Sequence, residues 1–256
     1  SISDGRGGNA TATIAVSVVG ADDPTTIAGT LAGAVREDVV ATATGALSAT
    51  DPDVGARGFT AQPGTAGTYG TFAIDAAGNW TYTLTNAAAN VQALAQGQSV
   101  TETFVVTADD GTTASVTVTV NGSNDAPVVS STSISAAEEG APVALGLAVP
   151  TDIDTAATLT ITVTALPSIG QVQLADGTPV ANGATLSAAQ LAGLRFLPPA
   201  DYDGVAAVGA FGYSVSDGIA TVAGSTTITL ATVNDPPVAS NASAGTGENA
   251  VLNASV

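Results

Sequence analysis

The 256-residue chain has no cysteine, histidine, methionine or lysine, and a single tryptophan. Without cysteine there are no disulfides and no thiolate metal sites. Without histidine there are no imidazole ligands and no histidine-based catalytic triad. Only four basic residues, Arg6, Arg36, Arg57 and Arg195, stand against 22 acidic ones, for a net charge of −18. Nucleic acid and anionic membrane surfaces both call for basic patches, so neither is an expected partner. No apolar run approaches the roughly 18 residues of a spanning helix, so direct membrane insertion is not expected. Ser1 opens the chain without a signal-like segment, and the sequence is expected to begin and end inside a longer polypeptide.

What is abundant is threonine, valine, alanine and glycine, with threonine and valine often alternating as they do in half-buried strands. The alternation recurs at long range. An Asp-Gly turn precedes a strand-like run at Asp4-Gly5 before 10–19, at Asp110-Gly111 before 113–120, and at Asp217-Gly218 before 220–230. The three aspartates lie 106 and 107 residues apart, a period that fits tandem whole domains rather than a solenoid.

The chain therefore divides into four expected pieces. Residues 1–22 read as the last strands of a preceding repeat, 23–126 and 127–236 as full units, and 237–256 as the start of a following one. In the first unit, 39–50 reads as a strand, and 70–75, Ala76-Ala77-Gly78 and 79–85 as a hairpin. There Trp80, Tyr82 and Leu84 share one face, a core face in preference to a sugar platform. An alanine-rich stretch, 86–96, reads as a short helix capped by Asn86. In the second unit, strands are expected at 159–165, 170–174, 195–197, 210–215 and 220–230. Ser187 with Gln190 forms a capping-box pattern for a short helix. The expected fold class is all-β, with β-sandwiches in tandem.

Acidic residues keep step with this period. Asp22-Asp23, Asn124-Asp125 and Asn234-Asp235 each follow a strand-like run. Asp23 is followed by Glu37 after 14 residues and Asp51 after 28; Asp125 is followed by Glu139 after 14 and Asp152 after 27. A lone Asp-Gly or Asp-Pro is ordinary turn chemistry, and Glu37-Asp38 or Glu138-Glu139 also reads as a charged strand edge. Matched spacing is not required by turns. Carboxylate and carbonyl oxygens in such clusters suit Ca²⁺, which takes six to eight hard ligands and would stiffen a self-repelling linker.

Several motifs resemble known families. Thr26-Ile27-Ala28-Gly29, Glu37-Asp38, Asp51-Pro52-Asp53, Tyr69-Gly70-Thr71-Phe72, Gly78-Asn79-Trp80-Thr81-Tyr82 and Asp109-Asp110-Gly111 make the first unit similar to a VCBS repeat. Asp201-Tyr202-Asp203-Gly204, Phe211-Gly212-Tyr213 and Ser216-Asp217-Gly218 make the second resemble bacterial cadherin-like domains. Both families occur in large, type I-secreted bacterial surface adhesins, which implies tandem Ig-like or cadherin-like β-sandwiches in an extended array, forming an extracellular, cell-surface spacer whose partners are adjacent repeats of the same polypeptide. Other copies in a surface filament are a further expected partner.

The acidic spacing is also similar to that of cadherins, and this implies ligand sets. Asn124 and Asp125 would gather Asp152, Asp154 and Asp217 with Glu37 and Asp38. Asp22 and Asp23 would gather Asp51, Asp53 and Asp109 or Asp110. Asn234 and Asp235 would gather Glu138 or Glu139. The chain departs from cadherins in lacking an L-D-R-E motif and in carrying Asp22 where the other linkers carry asparagine. No carboxylate pair falls in a recognisable cleft, so no enzyme is expected. The alternative to a calcium-stiffened extender is a module that binds carbohydrate or neighbouring chains through sandwich edges.

Overall fold

The computed structural model describes residues 1–236 and residue 248. The described residues form two compact units, one of residues 1–125 with 153–156, the other of 126–152 with 157–236. The expected start of a following repeat, 237–256, lies outside the described residues except for Glu248.

The first unit opens on a two-stranded ribbon, β1 (Ile2–Ser3) and β2 (Asn9–Ala10). Its sandwich follows as β3 (Thr26–Gly29), β4 (Ala32–Arg36), β5 (Thr42–Asp51), β6 (Gly55–Arg57), β7 (Gln62–Ala66), β8 (Gly70–Ile74) and β9 (Asn79–Leu84). Helix α1 (Ala89–Gln92), β10 (Ser99–Thr107) and β11 (Thr113–Asn121) complete it. One sheet runs β3-β5-β9-β8-β7, with β6 added to β5; the other runs β10-β11-β4. The β4–β11 pair is parallel, with Arg36 opposite Asn121. That register sets β4 and the last strand, β11, side by side, both ending at one pole.

The hairpin of β8 and β9 shows how the sequence achieves this. Alternation buries Trp80, Tyr82 and Leu84 and leaves Thr81 and Thr83 exposed. Asp75 closes the turn, its Oδ1 accepting the N–H groups of Ala77 at 3.0 Å and Asn79 at 2.8 Å. Gly78 adopts φ 88°, and a Cβ there would lie 2.4 Å from the Leu47 carbonyl oxygen. Phe72 stacks on Phe104 at 4.7 Å and on Trp80 at 5.9 Å, joining the two sheets through the core.

The second unit contains β12 (Thr132–Ala137), β13 (Val143–Ala144), β14 (Thr160–Ala165), β15 (Gln171–Gln173) and β16 (Thr185–Leu186). Helix α2 (Ala188–Ala192), β17 (Arg195–Leu197), β18 (Ala210–Ser216) and β19 (Thr221–Ala231) follow. Its sheets are β12-β19-β18-β14-β16 and β13-β17-β15, and β12 pairs with β19 in parallel as β4 does with β11. Ser187 forms the expected capping box with Gln190.

Two local expectations do not hold. Of the run 10–19 only Ala10 lies in a strand, and residues 11–19 form no strand, leaving Ile14, Val16, Val18 and Val19 at least 78% exposed. A strand of this pattern needs a sheet. The last-strand positions of both described sandwiches are already filled, by β11 and β19. The helix over 86–96 shortens to α1, whose N-cap is Ala88 with no side-chain cap bond. The Asn86 side chain is engaged elsewhere.

Candidate metal centre

The end of β4 carries the chain into a tight bend. Glu37 donates its N–H to the Asn121 carbonyl at 3.0 Å, prolonging the β4–β11 pairing by one bond. Asp38 then takes φ 56°, a left-handed conformation that reverses the chain. The bend turns the Glu37 side chain inward, where it is fully buried, while Asp38 stays exposed. Beyond β11, Ser123 binds back onto the same residue: its Oγ donates to the Glu37 carbonyl at 2.9 Å and its N–H to Glu37 Oε2 at 3.3 Å. This places Asp125 over the bend.

Carboxylate oxygens of Glu37, Asp38 and Asp125 lie within 4.8 Å of one another. Asp154, 7% exposed, adjoins them, its Oδ2 accepting the Asp125 N–H at 3.0 Å. Asn86 fixes Asp38 reciprocally: its Oδ1 accepts the Asp38 N–H at 2.9 Å and its Nδ2 donates to Asp38 Oδ1 at 2.6 Å. Buried Glu37 Oε1 has no hydrogen-bond partner. A buried carboxylate oxygen without a donor is costly, and here it faces like charge. Burial pushes the Glu37 carboxyl up to about 7 against the opposing pull of the Ser123 N–H, and the charges of Asp125, Asp38 and Asp154 push the same way. A divalent cation bound by these oxygens would relieve both burdens, so the donor set fits a hard metal.

The remaining candidates are placed differently. Asn124 donates from Nδ2 to the Asp125 carbonyl at 2.8 Å. Asp152 and Asp217 belong to the second unit, where Asp217 Oδ1 caps its own turn through the N–H groups of Ile219 and Ala220, both at 2.7 Å. At the opposite pole of the first sandwich, Asp53 Oδ2 accepts the Asp23 N–H at 2.8 Å, and Asp109 Oδ2 the Gly58 N–H at 3.0 Å. Asp51 is bound by Arg57, and Thr25 Oγ1 bridges Asp51 to Asp110. Asp22 is exposed. In the second unit, buried Glu138 takes the N–H of Val233 on Oε1 at 2.5 Å and that of Tyr202 on Oε2. Glu139 repeats the bend of Asp38 with φ 56°, and Asn234 and Asp235 are exposed. Asp203 closes its own turn on the Val205 N–H at 2.9 Å.

Sequence reasoning missed Asn86, Ser123 and Arg57. Ser123 had a usable signal, its place two residues before Asp125 in a recurring linker. Arg57 had one in being a rare base six residues after Asp51. Asn86 had none, because the contact spans 48 residues of chain.

Two family models match this chain, one for each unit. Residues 21–122 match the bacterial cadherin-like domain, and residues 124–230 match the bacterial Ig domain. The cadherin-like match thus falls on the first unit, where a VCBS resemblance was expected, and the second unit matches an Ig domain. No curated protein matches the chain. Similar solved structures include the cadherin domains 1–4 of protocadherin gamma B7, at 14% identity and TM-score 0.41, covering 80% of this chain and 50% of that one. Human protocadherin-24 EC1-2 is 14% identical with TM-score 0.41, over 84% of this chain and all of that one. The titin I-band fragment I67-I69 is 12% identical with TM-score 0.39, over 82% and 66%. The chain spans about half the length of the protocadherin gamma B7 chain. It is all-β, with a cadherin-like and an Ig-like sandwich in tandem. Both are domain types of structural and adhesive extracellular proteins.

Proposed function

We propose that this chain is a calcium-stiffened extender segment of a secreted bacterial surface adhesin or filament, without chemistry of its own. The observation that carries the reading is the buried Glu37 carboxylate, whose Oε1 has no donor among the described residues and which lies close to those of Asp38 and Asp125. Those three carboxylates, with Asp154 beside them, supply the first ligands. Asn124 is the nearest further candidate within the same unit, and carbonyls or water complete the six to eight oxygens of a calcium shell. The ion would fix residues 123–125 to the β4 bend, and so order the segment leading into the second unit.

The test uses the lone tryptophan, Trp80, as a reporter of the cadherin-like unit. Thermal unfolding followed by its fluorescence, in excess Ca²⁺ and then in EGTA with Mg²⁺ as control, should show a calcium-specific rise in melting temperature. Small-angle scattering should show a longer particle with calcium. Loss of the rise in both Glu37→Gln and Asp125→Asn supports the site. An unchanged melting temperature in the parent protein defeats it.

A second reading, strand exchange with an adjacent repeat or another copy, is favoured by the exposed alternation of residues 11–19. Concentration-dependent sedimentation, abolished by Val16→Asp, would support it; a monomer at all concentrations would remove exchange between copies.

A further inference from the structure

The two acidic poles of the cadherin-like unit differ in one respect. Around Glu37 no basic side chain contributes; its neighbours by charge are Asp125, Asp38 and Asp154. Around Asp51 the cation is part of the chain. Asp51 is only 2% exposed, and its Oδ2 accepts Nη2 of Arg57 at 2.6 Å and Nε at 3.1 Å. Its Oδ1 accepts the N–H groups of Asp53 at 2.8 Å and Val54 at 3.1 Å. Thr25 Oγ1 donates into the same group, between Asp51 and Asp110. Asp110 and Asp22 also act on the guanidinium charge.

The origin of the arrangement is local. Asp51 ends β5 and Arg57 ends β6, two strands paired through the tight turn of 52–54, with Asp51 opposite Gly55. The hairpin therefore delivers the base to the acid within six residues. A guanidinium offers several donors in a fixed fork and cannot lose its proton, so it satisfies carboxylates permanently.

We propose that Arg57 is a tethered counter-cation that occupies the place of a metal ion at the Asp51 pole, so that this pole is ion-independent and Arg57 decides which acidic cluster of the unit takes calcium. In the absence of Arg57, Asp51, Asp53 and Asp110 keep only neutral N–H and hydroxyl donors and no counter-charge, which leaves them open to the ion Arg57 excluded.

The experiment is calorimetric titration of Ca²⁺ into the metal-stripped full chain, parent and variants, with Trp80 fluorescence verifying the fold of each. Arg57→Gln should bind one ion more than the parent, with a dissociation constant on the order of 10⁻⁴–10⁻³ M, as in extracellular calcium modules. Arg57→Lys, which keeps the charge, should bind the parent's number. Asp51→Asn should also leave the parent's number unchanged, and Asp53→Asn repeats that test if the buried change unfolds the unit. An ion lost from the parent by either asparagine variant overturns the proposal, as does an Arg57→Gln chain that folds and gains none. The calcium reading of the other pole stands or falls separately. Glu37→Gln should remove one ion from the parent, and a parent that binds none while Arg57→Gln gains one would refute that reading and leave this proposal intact.

Discussion

Glu37→Gln should affect stability in opposite directions with and without calcium. In EGTA, the Glu37 carboxyl ionises at about 7 in the folded unit instead of near 4.5. Between those values the folded protein holds a proton that the unfolded chain has released, so stability falls as pH rises from 4.5 and the loss is complete above 7. At about 1.36 kcal/mol per pK unit, the full loss is about 3 kcal/mol. Glutamine has nearly the same shape and no charge to strand. Metal-free Glu37→Gln should therefore match the parent near pH 4.5 and exceed it by up to about 3 kcal/mol at pH 8.5. That corresponds to a melting-temperature gain on the order of 10 °C for a domain of this size. In excess calcium the order should reverse, because the variant has lost a ligand. Denaturant melts read by Trp80 fluorescence at pH 4.5 and 8.5, in EGTA and in calcium, measure all four corners. If metal-free Glu37→Gln is less stable than the parent at pH 8.5, the Ser123 hydrogen bond outweighs burial and repulsion, and the reasoning is wrong.

The same ionisation predicts that calcium binding at pH 6 releases up to one proton per ion at this site, and that affinity falls about tenfold per pH unit below 7; titration in buffers of different ionisation enthalpy measures the release. Phe72→Ala removes a fully buried ring stacked on Phe104 and should cost about 3–5 kcal/mol in the first unit's denaturant stability. Gly45→Ala would set a Cβ 2.5 Å from the Trp80 indole, so it should cost about 1–3 kcal/mol and shift the fluorescence maximum. Ser187→Ala breaks the capping box of α2 and should cost about 1 kcal/mol, seen in the circular-dichroism melt of the Ig-like unit and not in Trp80 fluorescence.

The parts of the fold legible in sequence are those where one local rule acts alone. Residues 79–84 alternate cleanly because one face meets the core and the other solvent. Residues 195–197 stand out as a strand because Phe196 is flanked by a capped helix and a proline pair. The strands β6 and β7 were not legible. Their residues, Gly55 to Arg57 and Gln62 to Ala66, include Pro63 and two glycines, and β7 carries a register shift between Gln62 and Thr65. Such composition belongs to sheet edges, where a missing donor costs little, and reads as loop. Asn86 failed for the opposite reason. Its cap signal was real, but the Asp38 bend, 48 residues away, offers it both a donor and an acceptor, and two bonds outweigh one.

The acidic spacing matched Glu37 with Glu139, but the residue that occupies the backbone frame of Glu37 is Glu138, one place earlier. Each follows a strand paired in parallel with the last strand of its sandwich, donates its N–H to that last strand, at 3.0 Å and 3.1 Å, and precedes a residue at φ 56°. Each accepts a returning N–H, from Ser123 or from Val233. One bond separates them. The Tyr202 N–H reaches the second oxygen of Glu138, whereas the second oxygen of Glu37 has no donor among the described residues, in a carboxylate that sits beside those of Asp38 and Asp125. At the first site the Asn86 segment meets the bend, taking the Asp38 N–H as Pro199 takes that of Glu139, but among the described residues no donor reaches Glu37 Oε1; that missing bond decides whether a buried carboxylate is satisfied by the chain or left to a cation. Arg57 acts likewise on Asp51. The demand for an ion at each pole therefore follows from donors that lie far from the acidic motif, or on the neighbouring strand, and a tally of aspartates and glutamates counts as equal sites that the fold has already made different.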